Sequence, residues 1–249
     1  MKVNKRLQEI LRKNAEFGKE TPYNFCDRWC ERCSHEKQLR CKLYQDEFER
    51  KITCIAHGRD EDDPEIIKSV MEAQYKDVEE KIKECADKFD IDLDDVDMDE
   101  PDEESAIDFE DLPEDIQRHI KFVENNPLPV TAEQYRKKAH EFLKETFYKE
   151  EKKYAALNYD FETVAWYHTL LPAKLQRALA GFHESASEGD LSLYDAVAKF
   201  EICKKAIKES VSALRKIELK FASFHMQILE LLALLNNIHS RIEAMEESI

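Results

Sequence analysis

The fold class follows from residues 192–249, which read SLYDAVAKFEICKKAIKESVSALRKIELKFASFHMQILELLALLNNIHSRIEAMEESI. This stretch contains neither Gly nor Pro, and its apolar or small residues recur at alternating steps of three and four. We call these positions the C-terminal seam: Leu193, Ala196, Phe200, Cys203, Ile207, Ser210, Leu214, Ile217, Phe221, Phe224, Ile228, Leu231, Leu235, Ile238, Ile242 and Met245. The repeat is typical of α-helices that pack side by side with heptad spacing.

The length of the seam limits how it can fold. One unbroken helix over the seam would reach roughly 80 Å at about 1.5 Å per residue. A compact domain of 249 residues is shorter than this. We therefore expect either a break near 209–217 or a homodimer through the seam. Aromatic residues and a cysteine on the seam favour a bundle, so we predict an antiparallel helical bundle over 131–249.

The rest of the sequence also predicts an all-α protein. The chain has only 4 Gly, and 37% of its residues are charged. Such a composition suits helices better than glycine-rich sheet enzymes. Asp63-Pro64 and the pair Thr131 and Gln134 are typical helix starts. The predicted helices cover 3–17, 42–55, 64–89, 113–124 and 131–157, followed by one from Asp160 that kinks or breaks at Pro172.

The charge is concentrated in one segment. The range 87–115 carries sixteen Asp or Glu and one Lys, a net charge of −15, and subtracting it from the whole-chain −16 leaves −1 for the other 220 residues. We expect an acidic linker that contacts a basic protein partner. A basic face for nucleic acid is not favoured. The predicted divisions are an N-terminal cysteine segment (1–63), a helix (64–89), the acidic linker (90–112) and a helical bundle (113–249).

Four cysteines lie within sixteen residues near the N-terminus. Cys26, Cys30, Cys33 and Cys41 have the spacing C-x3-C-x2-C-x7-C. Thiols this close in sequence can converge on one tetrahedral metal ion. We predict a metal site formed by these four side chains. Zinc is the favoured occupant, because four thiolates form a closed structural shell, and a 4Fe-4S cluster is the alternative, because it uses the same ligands.

Two other interpretations of the cysteine segment remain open. The four residues could be ordinary thiols that pack a helical corner, and His35 could replace one thiolate as a ligand. Cys54, Cys85 and Cys203 are isolated in the sequence and are interpreted as ordinary thiols.

The run YNFCDRWCERC at 23–33, followed by RCKLY at 40–44, resembles the N-terminal segment of a family of uncharacterised bacterial proteins. The similarity covers about thirty residues, with a looser likeness over WYHTLLPAKLQRAL at 166–179. The resemblance implies that the four cysteines are a shared site. It implies no activity.

No catalytic signature stands out, so a non-enzymatic role is favoured. The Glu-x-x-His pairs of di-iron bundles do not occur. His168 lies on an apolar helix face and is interpreted as a core histidine, with a buried acid or base as the alternative. Arg177 and His183 fit the permissive R-x(4–6)-H pattern of HEPN ribonucleases, which makes a HEPN-like nuclease a weaker alternative.

The cellular setting is predicted from the cysteines and the hydropathy. An odd number of cysteines, four of them clustered, favours a reducing compartment, and no apolar run is long enough to span a bilayer. We expect a cytoplasmic protein without a membrane partner. The overall hypothesis is a metal-binding helical protein that serves as an interaction or scaffold module, with an iron–sulfur redox or sensor protein as the alternative.

Overall fold

The computed structural model of the chain describes residues 4–89, 108–149, 156–188 and 190–249. No strand occurs in these ranges, which confirms the all-α prediction. The α-helices are α1 (Lys5–Glu20), α2 (His35–Arg40), α3 (Lys42–Ala56), α4 (Pro64–Phe89), α5 (Glu114–Asn125), α6 (Pro127–Glu145), α7 (Asn158–Glu188), α8 (Asp190–Lys220) and α9 (His225–Glu247).

The chain divides into two compact units. The first comprises Met1–Arg32 with Leu112–Ile249, and the second comprises Cys33–Asp111. The first unit therefore contains both the N-terminal helix α1 and the C-terminal bundle. The predicted divisions placed these two parts in separate segments, 1–63 and 113–249. The predicted acidic linker falls largely on 90–107, which lies outside the described residues.

The first unit is built on α7 and α8, which form its most extensive helix pair. The Tyr167 hydroxyl on α7 lies 2.8 Å from Glu209 Oε2 on α8, and the Arg177 Nε lies 3.2 Å from Asp195 Oδ2. Residue numbers rise along one helix as they fall along the other, so the two helices are antiparallel.

Helices α6 and α9 complete an antiparallel four-helix bundle. The Lys138 Nζ on α6 lies 2.6 Å from Glu230 Oε1 on α9, and Gln227 Nε2 donates to Glu145 Oε2 at 2.9 Å. Helix α6 also packs on α7, and α9 packs on α8. The arrangement matches the bundle predicted from the seam.

The C-terminal seam lies in the interior of this bundle. Every seam position is buried except Phe221, Phe224 and Met245, which are half-buried. The helix does break, but at Phe221–Phe224 rather than near 209–217, with a 3₁₀ turn at Ala222–Phe224 between α8 and α9. The edge of the Phe224 ring meets Phe142 of α6 with the ring centroids 5.6 Å apart. The seam is thus covered within a single chain.

Some sequence expectations about helix boundaries are wrong. Helix α7 continues through Pro172, so of the two predicted outcomes the break does not occur, and the kink stays a prediction. Helix α6 begins at Pro127, because the side chain of Asn126 accepts a hydrogen bond from Leu128 N and caps the helix five residues before Thr131. The same helix ends at Glu145, well short of the predicted residue 157.

Helices α1 and α5 pack on the outside of the bundle. Ile10 of α1 is buried against Leu193 and Val197 of α8, and the Asn14 amide donates to the Tyr194 carbonyl at 2.9 Å. Burying an aliphatic side chain of this size stabilises the fold by about 1.5–3 kcal/mol. Helix α5 packs on α6 and α7.

The second unit contains α2, α3 and α4. The boundaries of α3 and α4 agree with the predicted helices 42–55 and 64–89 to within one residue, whereas α2 was not predicted. Gly58 adopts a φ of 67° just after α3, and the Asp63 carboxylate accepts from Glu65 N at the start of α4. Several of its apolar side chains are exposed: Phe48, Ile52, Ile55, Met71, Tyr75, Val78 and Ile82. Cys54 is fully buried.

Candidate functional site: the anchored cysteine segment

The first two predicted metal ligands lie in an irregular segment of the first unit, residues 22–32, which we call the anchored segment. It consists of two 3₁₀ turns, Pro22–Phe25 and Cys30–Arg32, joined by residues 26–29, which form neither helix nor strand. Cys26 has extended backbone angles. Cys26 and Cys30 are therefore not joined by a turn of α-helix. Arg28 adopts a φ of 56°, in the left-handed region that non-glycine residues seldom occupy.

Asp27 is the centre of the contact between this segment and the bundle. Its carboxylate Oδ2 accepts from the Tyr167 hydroxyl at 2.6 Å and from Lys205 Nζ at 2.7 Å. Its backbone carbonyl accepts from the Trp166 indole N–H at 3.1 Å. A buried carboxylate needs such partners to offset the loss of hydration. Asp27 is 6% exposed, so these contacts fix the segment to both α7 and α8.

Aromatic stacking adds a second attachment point. The Trp29 ring stacks on Trp166 with centroids 5.1 Å apart, and Trp29 is 6% exposed. The Arg32 guanidinium carbon lies 3.2 Å from the Trp29 ring centroid and 3.6 Å from that of Tyr159. Arg32 also donates to the Thr163 hydroxyl at 2.8 Å. The side chain is held between two aromatic faces, where an arginine gains cation–π stabilisation.

The start of the segment has its own attachment. Lys199 Nζ on α8 donates to the Asn24 carbonyl at 3.0 Å and to Asp195 Oδ1 at 2.7 Å. Lys199 is 9% exposed. Cys26 therefore lies between two anchored residues, Asn24 and Asp27, and its thiol donates weakly to the Tyr23 carbonyl at 3.7 Å.

The hydrogen bonds at Asp27 change the ionisation of the residues involved. Burial disfavours the charged form of Asp27, but the hydrogen bonds from Lys205 and Tyr167 outweigh burial and lower its pKa. Burial and the neighbouring carboxylates of Asp27 and Glu209 raise the pKa of Tyr167. At neutral pH the site thus holds an ionised Asp27 and a protonated Tyr167.

The other two predicted ligands belong to the second unit. Cys41 lies between α2 and α3, directly before the first residue of α3, in agreement with the predicted helix over 42–55. Cys33 precedes α2 by two residues. His35, the alternative ligand, is the first residue of α2 and is exposed. All four cluster cysteines are half-buried.

The structure describes all seven cysteines, and none of them forms a disulfide. Among the described residues, no group of three or more His, Cys, Asp or Glu side chains is arranged as a metal site. The predicted ligands are thus free thiols, and the metal site stays a prediction.

The remaining candidates for chemistry have structural partners. His168 is 3% exposed, and its Nδ1 lies 2.7 Å from the Ala165 carbonyl, as expected for a core histidine. Arg177 pairs with Asp195, and the Nδ1 atoms of His183 and His119 lie 3.2 Å apart. The sequence did not indicate the pairing of the two histidines, because His119 lies on a different helix.

Sequence reasoning identified the cysteines but not the residues that hold them. Asp27, Tyr167 and Lys205 were not singled out. A signal was present, because the two stretches that carry the family resemblance, 23–33 and 166–179, are in contact through Trp166 and Tyr167.

No family model matches this chain, and the searches of curated proteins and of solved structures found no significant similarity. The fold and site therefore define the class of protein only as an all-α helical bundle with an anchored cysteine segment. In the described ranges, no helix combines the length and apolar character that crossing a membrane requires.

Proposed function

We propose that this chain is a non-enzymatic, cytoplasmic metal-binding protein whose four-cysteine site has a structural role in an interaction or scaffold module. The observation that carries the proposal is the attachment of the anchored segment to α7 and α8. A buried Asp27, a buried Trp29 and a stacked Arg32 hold this segment, which bears Cys26 and Cys30. Buried polar and aromatic contacts of this kind are expected where a loop must hold metal-binding side chains in a defined position.

Zinc fits the chemistry of the donor set. Four thiolates bind Zn²⁺ in a closed tetrahedral shell, and ligands of a structural site commonly come together only when the metal binds. On binding, each thiol loses its proton. Cys30 and Cys33 supply a C-x2-C pair, Cys26 comes from the anchored segment and Cys41 from the start of α3.

An iron–sulfur centre is the alternative occupant, because the same four thiolates would hold it. In that case the protein would be a redox or sensor protein. The acidic range 87–115, with a net charge of −15, supports a basic protein partner for the scaffold role. A homodimer through the C-terminal seam is not part of the proposal, because the seam is buried within one chain.

The proposal is tested by titrating the reduced full-length protein with Co²⁺ and then displacing it with Zn²⁺. Tetrahedral thiolate coordination of Co²⁺ gives intense charge-transfer absorption that increases with the number of sulfur ligands. We expect one Co²⁺ per chain with four-thiolate intensity, and a loss of at least one quarter of that intensity in Cys30→Ser.

The matched control is Cys85→Ser, which removes an exposed thiol outside the cluster. It is expected to leave the Co²⁺ spectrum unchanged. A wild-type protein that gives no thiolate charge-transfer band under anaerobic reducing conditions would exclude a four-cysteine zinc site. An equal loss in both variants would place the ligands elsewhere.

A further inference from the structure

Two histidine rings meet between α5 and α7 in the first unit. The Nδ1 atom of His119 on α5 lies 3.2 Å from the Nδ1 atom of His183 on α7. The ring centroids are 5.1 Å apart and the ring planes cross at 73°. Both side chains are half-buried. A neutral imidazole carries one N–H and one lone pair, so at this distance the Nδ1–H of one ring donates to the Nδ1 of the other.

Neighbouring side chains hold both rings in place. The ring of Phe122, three residues after His119 on α5, packs on the ring of His183 with the centroids 4.7 Å apart. Phe122 itself packs against the bundle core. On the far side of His119, the Nε2 atom lies 3.9 Å from Glu184 Oε1. A carboxylate on that side favours a proton on Nε2 and leaves the Nδ1 of His119 with its lone pair towards His183.

The spacing of the two Nδ1 atoms suits two ligands of one metal ion. With Zn–N bonds of about 2.0–2.1 Å, two nitrogens at the tetrahedral angle are about 3.3–3.4 Å apart. The observed 3.2 Å is within about 0.2 Å of this separation. A histidine that binds a metal usually has its other ring nitrogen facing a carboxylate or carbonyl, and Glu184 lies in that position beside His119.

We propose that His119 and His183 form a metal site, separate from the cysteine segment, that binds a divalent transition-metal ion such as Zn²⁺ through their two Nδ1 atoms. Glu184 is a positioning residue that orients the His119 ring. Imidazole nitrogens suit Zn²⁺, Ni²⁺ and Cu²⁺. Two protein ligands are fewer than a closed structural site has, so water completes the shell. We therefore expect an exchangeable ion that is lost during purification.

Binding requires one change of tautomer and no net loss of a proton. Each Nδ1 lone pair forms one bond to the ion, and the proton that His183 carried on Nδ1 moves through solvent to its own Nε2. The ion then connects α5 to α7 directly. Because α5 begins at Glu114, the bound ion would fasten the end of the acidic range 87–115 to the bundle.

The test is a titration of the reduced full-length protein, labelled with ¹⁵N in its histidine rings and first given one equivalent of Zn²⁺ for the cysteines. Long-range ¹H–¹⁵N spectra distinguish ring nitrogens that are protonated, unprotonated or bound to a metal. As more Zn²⁺ is added, we expect the Nδ1 signals of His119 and His183 to change together to the metal-bound class, with the His183 proton on Nε2. The signals of His239, on α9, should not change.

The variants His119→Gln and His183→Gln assign these signals and test whether one ion uses both rings. Each is expected to weaken binding of this Zn²⁺ at least tenfold, because a single imidazole no longer chelates the ion. The double variant should bind within about threefold of either single variant, since the loss of one ligand already opens the chelate. The matched control His239→Gln removes an imidazole 3.4 Å from Glu243 Oε2 and should bind like wild type.

Amide hydrogen exchange measures the effect on the fold. Zn²⁺ is expected to slow exchange along α5 at least tenfold in wild type and not in His119→Gln, because the ion binds only when α5 is packed on α7. Unchanged Nδ1 signals of wild type up to about 1 mM free Zn²⁺ would overturn the inference, since weaker binding would not stabilise the fold. The histidine pair would then be a hydrogen bond only.

Two further outcomes are decisive. Losses of affinity that add up in the double variant would mean that each ring binds its own ion, which also overturns the inference. The proposed function is assessed separately by the thiolate charge-transfer band of Co²⁺, to which imidazoles do not contribute. Responsive histidines without that band would contradict the proposed function alone, and the band without responsive histidines would contradict the inference alone.

Discussion

The Tyr167 hydroxyl on α7 donates a 2.6 Å hydrogen bond to the buried carboxylate of Asp27 in the anchored segment. The two residues are 140 positions apart in the sequence. This bond, together with Lys205, connects the segment that bears Cys26 and Cys30 to the interior of the four-helix bundle. Several measurable properties of the protein depend on it.

Tyr167→Phe should destabilise the first unit. The change removes the hydroxyl and leaves the buried Asp27 with one fewer donor, a loss that costs about 1–3 kcal/mol. Urea unfolding followed by circular dichroism measures the cost. Tyr159→Phe is the control, because the exposed Tyr159 contributes its ring to Arg32 and no hydrogen bond of its hydroxyl is seen in the described part of the chain. An equal effect of both variants would contradict the role of the Tyr167 hydroxyl.

Asp27 should also make the free energy of unfolding depend on pH in the acidic range. The pKa of Asp27 in the folded protein lies below the ordinary value of 3.8. Its contribution to the free energy of unfolding is therefore complete at a pH well above 3.8 and is lost as the pH falls through the lower folded pKa. Asp27→Asn removes this contribution and should flatten the acid limb below about pH 4. Unfolding free energies measured at a series of pH values test this. An acid limb of unchanged slope in the variant would exclude Asp27 as its source.

Glu209 is the second carboxylate at the Tyr167 hydroxyl, 2.8 Å away. A tyrosine hydroxyl has one proton, so it cannot donate fully to both Asp27 and Glu209. Glu209→Gln supplies an amide N–H that can donate to the tyrosine oxygen. We expect the variant to be as stable as wild type or up to about 1 kcal/mol more stable. A loss of stability equal to that of Tyr167→Phe would show that Glu209 is the main acceptor.

His168 should reduce stability at mildly acidic pH. Burial lowers its pKa below the ordinary 6.5, so the unfolded chain takes up a proton that the folded protein resists. Stability is therefore complete above about pH 6.5 and falls as the pH decreases towards the lower folded pKa. His168→Gln should weaken this decline between about pH 5 and 6.5. His239→Gln, which removes a half-buried imidazole beside Glu243, should retain this decline.

Two glycines make a matched pair in the first unit. A methyl group on Gly181 of α7 would lie 2.9 Å from the Ser192 carbonyl oxygen, whereas one on Gly18 of α1 would make ordinary contacts of 3.5 Å or more with Phe25. Gly181→Ala should destabilise by about 1–3 kcal/mol through overpacking. Gly18→Ala should stabilise by about 0.5–1 kcal/mol, because alanine favours the helix. Thermal melts with the same sign for both variants would contradict this close approach of α7 to α8.

The buried positions of α8 and α9 could be predicted from the sequence, because they coincide with apolar or small residues that recur at the three- and four-residue spacing of one helix face. All of the seam positions that line α8 and α9 are buried or half-buried. The break at Phe221–Phe224 was mislocated because neither Gly nor Pro marks it and the heptad phase continues across it. The start of α6 was missed because a side-chain cap at Asn126 competes with the capping pattern at Thr131.

The site was predictable only in part. The clustered thiols can be recognised from the sequence alone. The residues that hold Cys26 in place, in contrast, lie on helices more than one hundred positions away along the chain. Lys199 and Lys205 look like ordinary surface charges in an amphipathic helix. Their roles depend on which face of α8 receives the anchored segment, and that is decided by tertiary packing.

The most direct measurement for the central claim is the metal content of the full-length protein purified anaerobically, determined by elemental analysis together with its visible absorption. The account predicts a colourless protein with one zinc per chain, reduced to background in Cys30→Ser and retained in Cys85→Ser. A brown protein that contains iron and sulfide would replace zinc with an iron–sulfur centre. A protein free of both metals, and unable to take up zinc when it is supplied, would contradict the four-cysteine metal site.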